Sequence, residues 1–73
     1  MALEKRELMA TSLGKRTKLV LTEVKRGGEV YFDLRKHYLT DDDTWIPTKK
    51  GIHVLRDKFE HFFELYNRFK EDL

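Results

Sequence analysis

The stretch FDLRKHY, residues 32–38, decides the fold of this chain together with WIPTKKGI, residues 45–52. Between positions 30 and 35 apolar and polar side chains alternate strictly, which predicts a half-buried β-strand. The strand is expected to turn one set of side chains inward and the other outward: Val30, Phe32 and Leu34 against Tyr31, Asp33 and Arg35. These residues place a guanidinium and an aromatic ring on one outer face.

Extended segments continue on both sides of this strand. Residues 18–24 are rich in β-branched and aliphatic side chains and predict a strand. The Gly27–Gly28 pair supplies positive φ cheaply and predicts a hairpin turn between the two strands. Thr40–Thr44 predicts a second turn, Pro47 keeps the preceding residue extended, and residues 52–54 close as a short strand.

The pattern changes period after position 54 and predicts an amphipathic helix. One face carries the large apolar side chains, and the opposite face is charged. The apolar face comprises Leu55, Phe59, Phe62, Phe63, Tyr66, Phe69 and Leu73, and the polar face Lys58, Glu60, Glu64, Arg68 and Glu71. The predicted class is therefore α+β, two hairpin-like units followed by a helix.

The first twelve residues are interpreted separately. Residues 3–10 are good helix formers but too few for a stable isolated helix. We predict that residues 1–12 form an arm, either flexible or a short helix, and that residues 13–73 form one domain. The start of the chain lacks the apolar core of a signal peptide, and no apolar run reaches membrane length, so we expect a soluble intracellular protein.

Size and composition point to oligomerisation. A domain of 73 residues without cysteine has neither disulfides nor thiolate metal sites to add to a small core. The aromatic helix face is large for a helix that covers one short sheet, and such a stripe is a typical association surface. We expect a homodimer with an interface formed by Phe59, Phe62, Phe63, Tyr66 and Phe69; the alternative is that these residues are ordinary core.

Positive charge is concentrated in the middle of the chain. The net charge is only +2, but residues 13–53 carry nine basic and six acidic side chains, and three of those acids are bunched at 41–43. A local basic surface with interleaved aromatics predicts phosphate binding and base stacking. The candidate nucleic-acid-binding residues are Lys15, Lys18, Lys25, Arg26, Arg35, Tyr38, Trp45, Lys49, Lys50 and Gly51. The alternative is a solvated strand face with Tyr38 and Trp45 in the core.

The remaining polar groups indicate no catalytic or metal chemistry. The Asp41–Asp43 run lacks calcium-loop spacing, so a solvated turn is favoured. His37 lies among basic and aromatic residues and could titrate near neutral pH. No nucleophile motif, phosphate loop or catalytic carboxylate pair is present. We expect a protein without cofactor or metal that is not an enzyme.

The ordered set of these motifs resembles the single-stranded-DNA-binding domain of the transcriptional coactivator family called positive cofactor four. The matching pieces are Gly14-Lys15, the Asp33–Tyr38 segment, the acidic turn 41–43, and Pro47–Ile52 before an amphipathic helix. The resemblance covers about residues 13–73. It implies a dimer in which each chain has a curved antiparallel four-stranded sheet and one helix, a ββββα, whirly-like arrangement.

The resemblance also implies roles for single residues. Arg35, Tyr38, Lys49, Lys50 and Gly51 match the family's DNA contacts. The chain departs from the family pattern at Ile46, where a lysine is usual, at Val24 in place of a stacking aromatic, and at Glu29 in place of a lysine. Trp45 is a candidate for the lost stacking. The pattern is that of a compact bacterial or phage-like member.

The sequence thus predicts a dimeric, largely sequence-independent single-stranded-DNA-binding protein that stabilises melted DNA in transcription, replication or repair. The expected location is the cytoplasm, with the nucleoid, in bacteria or phage-infected cells, and the nucleus in a eukaryote. Transcription or replication machinery is a further candidate partner. Two alternatives remain open, an RNA-binding protein and a protein-interaction module that uses the aromatic helix face.

Overall fold

A computed structural model describes residues 3–72 as one antiparallel sheet of four strands followed by a helix. The strand order is β1-β2-β3-β4, so each strand pairs with its neighbours in sequence. The predicted ββββα architecture is confirmed. The elements are β1 Glu4–Gly14, β2 Thr17–Arg26, β3 Glu29–Leu39, β4 Trp45–Leu55, α1 Arg56–Phe69 and a 3-10 turn at Lys70–Asp72.

Strand β1 corrects the interpretation of the first residues. The predicted arm or short helix over 1–12 is wrong for residues 4–12, which pair with β2 along its length; residues 1 and 2 lie outside the described residues. Backbone hydrogen bonds to an existing strand outweigh the weak helix propensity of the segment. An ion pair joins the two strands, with Arg6 Nη2 3.4 Å from Glu23 Oε1.

The β2–β3 hairpin forms as predicted. Gly27 and Gly28 have φ of 60° and 81°, the pair of positive values that a tight two-residue hairpin turn requires. Pairing runs without interruption from Arg26–Glu29 to Thr17–Tyr38. This regular register confirms the alternation of β3, and it defines two faces of the sheet. We call the side with Tyr31, Asp33, Arg35 and His37 the groove face and the other the helix face.

Strand β4 is continuous but carries a bulge opposite β3. Arg35 pairs with Gly51 and His37 pairs with Pro47, so residues 48–50 oppose a single residue, Lys36. The Thr48 hydroxyl fills the gap by donating to the Lys36 carbonyl at 2.7 Å. Bulges re-aim side chains, and here the re-aimed side chains include both lysines of the predicted site.

Gly51 permits the close approach of β4 to β3 beside this bulge. A Cβ built at position 51 would lie 2.5 Å from the Leu34 carbonyl oxygen and 2.9 Å from Arg35 Cα. Real Cβ atoms do not come this close to backbone. Gly51 is therefore required by the neighbouring strand of the protein itself, in addition to any role in ligand contact.

The acidic run lies in an exposed turn, as predicted. The Thr40 amide donates to the Thr44 carbonyl at 2.9 Å, and Asp43 closes the turn with φ of 62°. Arg16, from the β1–β2 turn, donates to the Leu39 carbonyl at 2.8 Å and lies 3.6 Å from Asp41. These contacts tie two neighbouring turns together at one end of the sheet.

The helix covers the helix face only loosely. Phe59 meets Phe32 edge-on, with ring centroids 5.3 Å apart, but none of the residues of α1 is buried. Between the helix and the sheet lies an apolar cavity of about 570 Å³. Contrary to the predicted polar face, Glu60 and Glu64 border this cavity, because the strip of the helix that meets the sheet centres on Phe59 and Phe63.

Little of this flat molecule is shielded from water. Its extents are 42 × 40 × 18 Å, and the buried apolar side chains among the described residues are Val20, Leu21 and Val24. Four of the five residues predicted for the dimer interface are more than half exposed: Phe62, Phe63, Tyr66 and Phe69. Leu73, the last member of the predicted stripe, lies outside the described residues. Within residues 3–72 no helix is long and apolar enough to cross a membrane.

Candidate nucleic-acid interface

The groove face of the sheet holds a concave surface with a volume of about 650 Å³. Strands β1 to β4 all contribute to its walls. Among residues 3–72, the lysines and arginines that line it are Lys5, Arg26, Arg35 and Lys49, and the acidic lining residue is Asp33. A concavity with this excess of cations is suited to an anionic ligand.

Arg35 lies at the centre of the groove and is held on two sides. Its Nε and Nη2 donate to Asp33 Oδ1 and Oδ2 at 2.9 and 3.0 Å, a bidentate pair. Its Nη1 donates to the Thr48 carbonyl at 2.9 Å, so the same guanidinium connects β3 to the β4 bulge. The Arg35 hydrogen bond holds the pKa of the Asp33 carboxyl below its usual value, and Asp33 in turn raises the pKa of Arg35.

The bulge presents the two lysines differently. Lys49 lines the groove, whereas Lys50 is exposed at the bulge and does not line it. The Lys50 amide donates to the Thr48 hydroxyl at 3.2 Å, so Thr48 organises both sides of the bulge. The arrangement offers one cation inside the groove and one at its edge.

Trp45 lies at the Leu39 end of the groove face. It pairs with Leu39 in the ladder, and Lys18 Nζ lies 4.6 Å from its ring centroid, a cation–π contact. The residue is 37% exposed. Trp45 therefore has an accessible aromatic surface beside a cation, which is the requirement for stacking a base next to a phosphate.

Two stacked aromatic rings and a guanidinium meet at the opposite end of the groove. The Arg26 guanidinium lies 5.0 Å from the Tyr31 ring centroid, and the His53 ring lies 4.9 Å from it on a nearly parallel plane, at 20°. The Tyr31 hydroxyl donates to Glu29 at 2.8 Å. His53 Nδ1 hydrogen-bonds to Asp33 Oδ2 at 3.0 Å, with the carboxylate as acceptor.

His37 completes the groove face between Arg35 and Lys18. Burial lowers the pKa of His37, and the positive charge of Lys18 lowers it further. The carboxylates of Glu7 and Asp33 act in the opposite direction with smaller effect. His37 is therefore neutral at physiological pH and gains its charge only in acid.

The structure brings together about half of the predicted site. The groove face carries Lys18, Arg26, Arg35, Trp45, Lys49 and Gly51. The regular β2–β3 register assigns Tyr38 and Lys25 to the helix face, since they pair with Thr17 and Val30. Lys15 lies in the exposed β1–β2 turn. Tyr38 and Lys25 therefore lie on the side of the sheet opposite to Arg35.

Several groove residues were missed by the sequence interpretation: Lys5, Asp33, Thr48, His53 and the stacking role of Tyr31. The sequence did contain a signal for Asp33, because its carboxylate and the Arg35 guanidinium are two residues apart on a strand and so share a face. Lys5 could not be found while its segment was interpreted as an arm. Thr48 and His53 depend on cross-strand register. Among residues 3–72 no group of histidine and acidic side chains is arranged to hold a metal ion.

The fold and groove define a class, a small ββββα domain with a cationic, aromatic-lined sheet face. The family described as "Transcriptional Coactivator p15 (PC4)" matches residues 11–65. The chain belongs to this family, as the resemblance predicted. Family membership supports DNA binding as the general function, in agreement with the charge of the groove.

Solved structures of similar fold come from a bacterium and a phage. A PC4 homolog from Burkholderia pseudomallei K96243 superimposes with a TM-score of 0.72 at 15% identity, covering 81% of this chain and 80% of that one. The bacteriophage T5 homolog of the eukaryotic coactivator, implicated in recombination-dependent DNA replication, gives 0.62 at 20% identity, covering 94% and 81%. At these identities both structures show a shared fold. No curated protein matches the sequence.

Proposed function

We propose that this protein binds single-stranded DNA with little sequence preference and acts as a homodimer that stabilises melted DNA in transcription, replication or repair. The observation that carries the proposal is the groove face, where the cations Arg35 and Lys49 lie between two aromatic groups. Cations along a groove neutralise phosphates, and exposed rings stack on unpaired bases of any sequence. A binding role without catalysis is part of the proposal.

Within this proposal the predicted residues have unequal weight. Lys18, Arg26 and Lys49 hold phosphates, and Trp45 stacks a base. Arg35 contributes its spare N–H donors beside the Asp33 pair. Gly51 borders Arg35 within the groove. The other predicted residues lie outside it, Lys15 and Lys50 as exposed charges and Lys25 and Tyr38 on the helix face, and contribute less to binding.

Dimerisation is supported by what the single chain leaves uncovered. The helix has no buried residue, and Phe62, Phe63, Tyr66 and Phe69 are exposed beside an apolar cavity. Apolar surface of this extent is a typical protein-binding site. A second copy that contributes its own helix covers both the aromatic helix face and the apolar cavity. Phe59, which lines the cavity from the helix, belongs to the same interface.

The same surface favours the second candidate function, a module that binds a different protein through the aromatic helix face. RNA is a second candidate ligand of the groove, since stacking platforms do not read the sugar. The expected location follows from the DNA-binding proposal: the cytoplasm, with the nucleoid, in bacteria or phage-infected cells, and the nucleus in a eukaryote.

The test is fluorescence anisotropy of a labelled mixed-sequence oligonucleotide of about 16 nucleotides, as single-stranded DNA, duplex DNA and RNA. We expect the single strand to bind more tightly than the duplex. Its log K should fall linearly with log salt, by about 0.7 for each phosphate neutralised.

Two lysine variants separate the groove from a merely solvated surface. Lys49→Ala with Lys50→Ala should weaken binding and reduce the salt slope by at most about 1.4. Lys58→Ala, on the exposed helix, is the matched control and should bind as the unmodified protein does. Equal or absent binding to single strand and duplex would reject the proposal and direct attention to protein partners of the helix. Tighter binding to RNA would replace the DNA assignment.

A further inference from the structure

The stacked Tyr31 and His53 rings, with the Arg26 guanidinium near Tyr31, are held by polar contacts in addition to packing. A histidine ring that only filled space would not need its plane fixed, yet His53 is hydrogen-bonded to Asp33 at 3.0 Å and parallel to Tyr31 within 20°. Tyr31 is fixed as well, by its hydroxyl contact with Glu29. The rings are held in one orientation before any ligand arrives, which lowers the entropy lost on binding.

The stack also has an open side. The His53 side chain is 33% exposed, and its neighbour on the same face of β4, two residues earlier, is Gly51. Because Gly51 has no side chain, the strand itself does not cover the flank of His53 that faces along the groove toward Arg35. A flat group can enter there with a guanidinium close by.

The stack lies far from Trp45. Tyr31 and Leu39, the partner of Trp45, are eight positions apart on β3, which corresponds to about 26 Å along the strand. Arg35 and Asp33 lie between the two ends. One base cannot contact both aromatic groups, so any contact at Tyr31 and His53 is a separate subsite.

We propose that Tyr31 and His53 form a second base-stacking platform, specific to an unpaired nucleobase of a single strand, at the end of the groove opposite to Trp45. Asp33 hydrogen-bonds to the His53 ring, and the Arg26 guanidinium lies over the Tyr31 ring. A single strand that engages both platforms runs along β3 and passes Arg35 between them. This inference rests on the proposed single-strand binding and deepens it.

The test compares variants of the platform on two oligonucleotide lengths, about 4 and about 16 nucleotides. Tyr31→Leu and His53→Ala should each weaken binding of the longer single strand about 5- to 150-fold, the effect of one lost base stack. Tyr31→Phe and His53→Phe retain a flat ring and should keep binding near that of the unmodified protein. His61→Ala, an exposed histidine of α1, is the matched control.

A length effect and a spectroscopic signal separate stacking from a general loss of fold. The shorter oligonucleotide reaches one platform only. The double variant of Trp45→Leu with His53→Ala should therefore lose more affinity for the longer strand than for the shorter one. A single 2-aminopurine moved along the longer strand should show two positions of quenching, one of which disappears in His53→Ala. Circular dichroism verifies the fold of each variant.

The outcomes distinguish this inference from the proposed function. If the unmodified protein binds single strands, and both Tyr31→Leu and His53→Ala bind them as tightly as it does, the second platform is wrong while the proposed function stands. If the phenylalanine variants lose as much affinity as the others, the hydrogen bonds and not the rings act, and the platform is again rejected. If the unmodified protein binds no single strand, both proposals fail.

Discussion

The Arg35 guanidinium and the Asp33 carboxylate, two residues apart on β3, form a two-point pair with N–O distances of 2.9 and 3.0 Å. The same guanidinium reaches the Thr48 carbonyl on β4. The positive charge of Arg35 is therefore balanced by Asp33, and Arg35 also stabilises the β4 bulge through its hydrogen bond to Thr48. We therefore expect phosphate contacts to depend more on the groove lysines and on Arg26 than on Arg35.

Asp33→Asn is expected to tighten single-strand binding while lowering stability. The substitution removes the negative charge of Asp33 from the groove, and a single surface charge is worth about 1 kcal/mol, or about fivefold in affinity. It also weakens the pair that holds Arg35, so the free energy of unfolding should fall. Anisotropy and urea unfolding measure the two effects. Unchanged or weaker binding would show that the pair matters for geometry more than for charge.

Trp45→Leu and Tyr38→Leu should have unequal effects on binding. Trp45 lies on the groove face beside Lys18, whereas Tyr38 is assigned to the helix face by its pairing with Thr17. We expect about a 5- to 150-fold loss for Trp45→Leu and little change for Tyr38→Leu, measured by anisotropy. A larger loss from Tyr38→Leu would mean that the ligand wraps around the sheet edge.

Gly51→Ala should destabilise the protein and disturb the groove. The added Cβ would lie 2.5 Å from the Leu34 carbonyl oxygen, and that backbone cannot move without opening the β3–β4 ladder. Overpacking of this kind costs about 1–3 kcal/mol, which thermal or urea unfolding can detect. Gly14→Ala is the control, because its nearest neighbour is the Thr17 hydroxyl at 3.2 Å. Equal stability of the two variants would contradict the close approach.

His37 should make both stability and binding depend on pH. Its folded pKa lies below 6.5, so the unfolded chain takes up the proton first, and stability falls as the pH drops from 6.5 through the folded pKa. Bound phosphates favour the charged imidazole, so single-strand binding should tighten over the same range. Asp33 does not titrate there because its pKa is lowered from 3.8.

The pH measurement uses unfolding and anisotropy from about pH 8 to about pH 5. His37→Asn should lose the His37 part of both dependences, and His61→Ala, on the exposed helix, should retain it. Identical pH profiles for His37→Asn and the unmodified protein would exclude His37 as the titrating group.

Charge on the aromatic helix face should abolish self-association. Phe62 is 72% exposed, so Phe62→Glu has little effect within one chain but places a carboxylate in the proposed interface. We expect a dimer for the unmodified protein and a monomer for this variant in sedimentation analysis. Lys58→Glu, on the polar side of the helix, should remain dimeric. A monomeric unmodified protein would leave the face to another partner.

The sequence alone determined the order of the elements and the location of the hairpin, because these depend on local chemistry. The glycine pair could only form a turn, the alternation of β3 could only bury one face, and the helical period of the C-terminal segment was unambiguous. The family resemblance likewise rested on ordered local motifs. The local prediction was wrong for the first segment, whose helix-forming residues become β1 because they pair with β2.

Only the tertiary structure decided which side chains share the groove. Cross-strand register sends Tyr38 and Lys25 to the helix face, joins His53 to Tyr31 and Asp33, and inserts the bulge that separates Lys49 from Lys50. Register depends on hydrogen bonds between residues far apart in sequence, and a shift of one position reverses the face of every side chain. Local patterns therefore predict strands, whereas the composition of the site follows from how the strands meet.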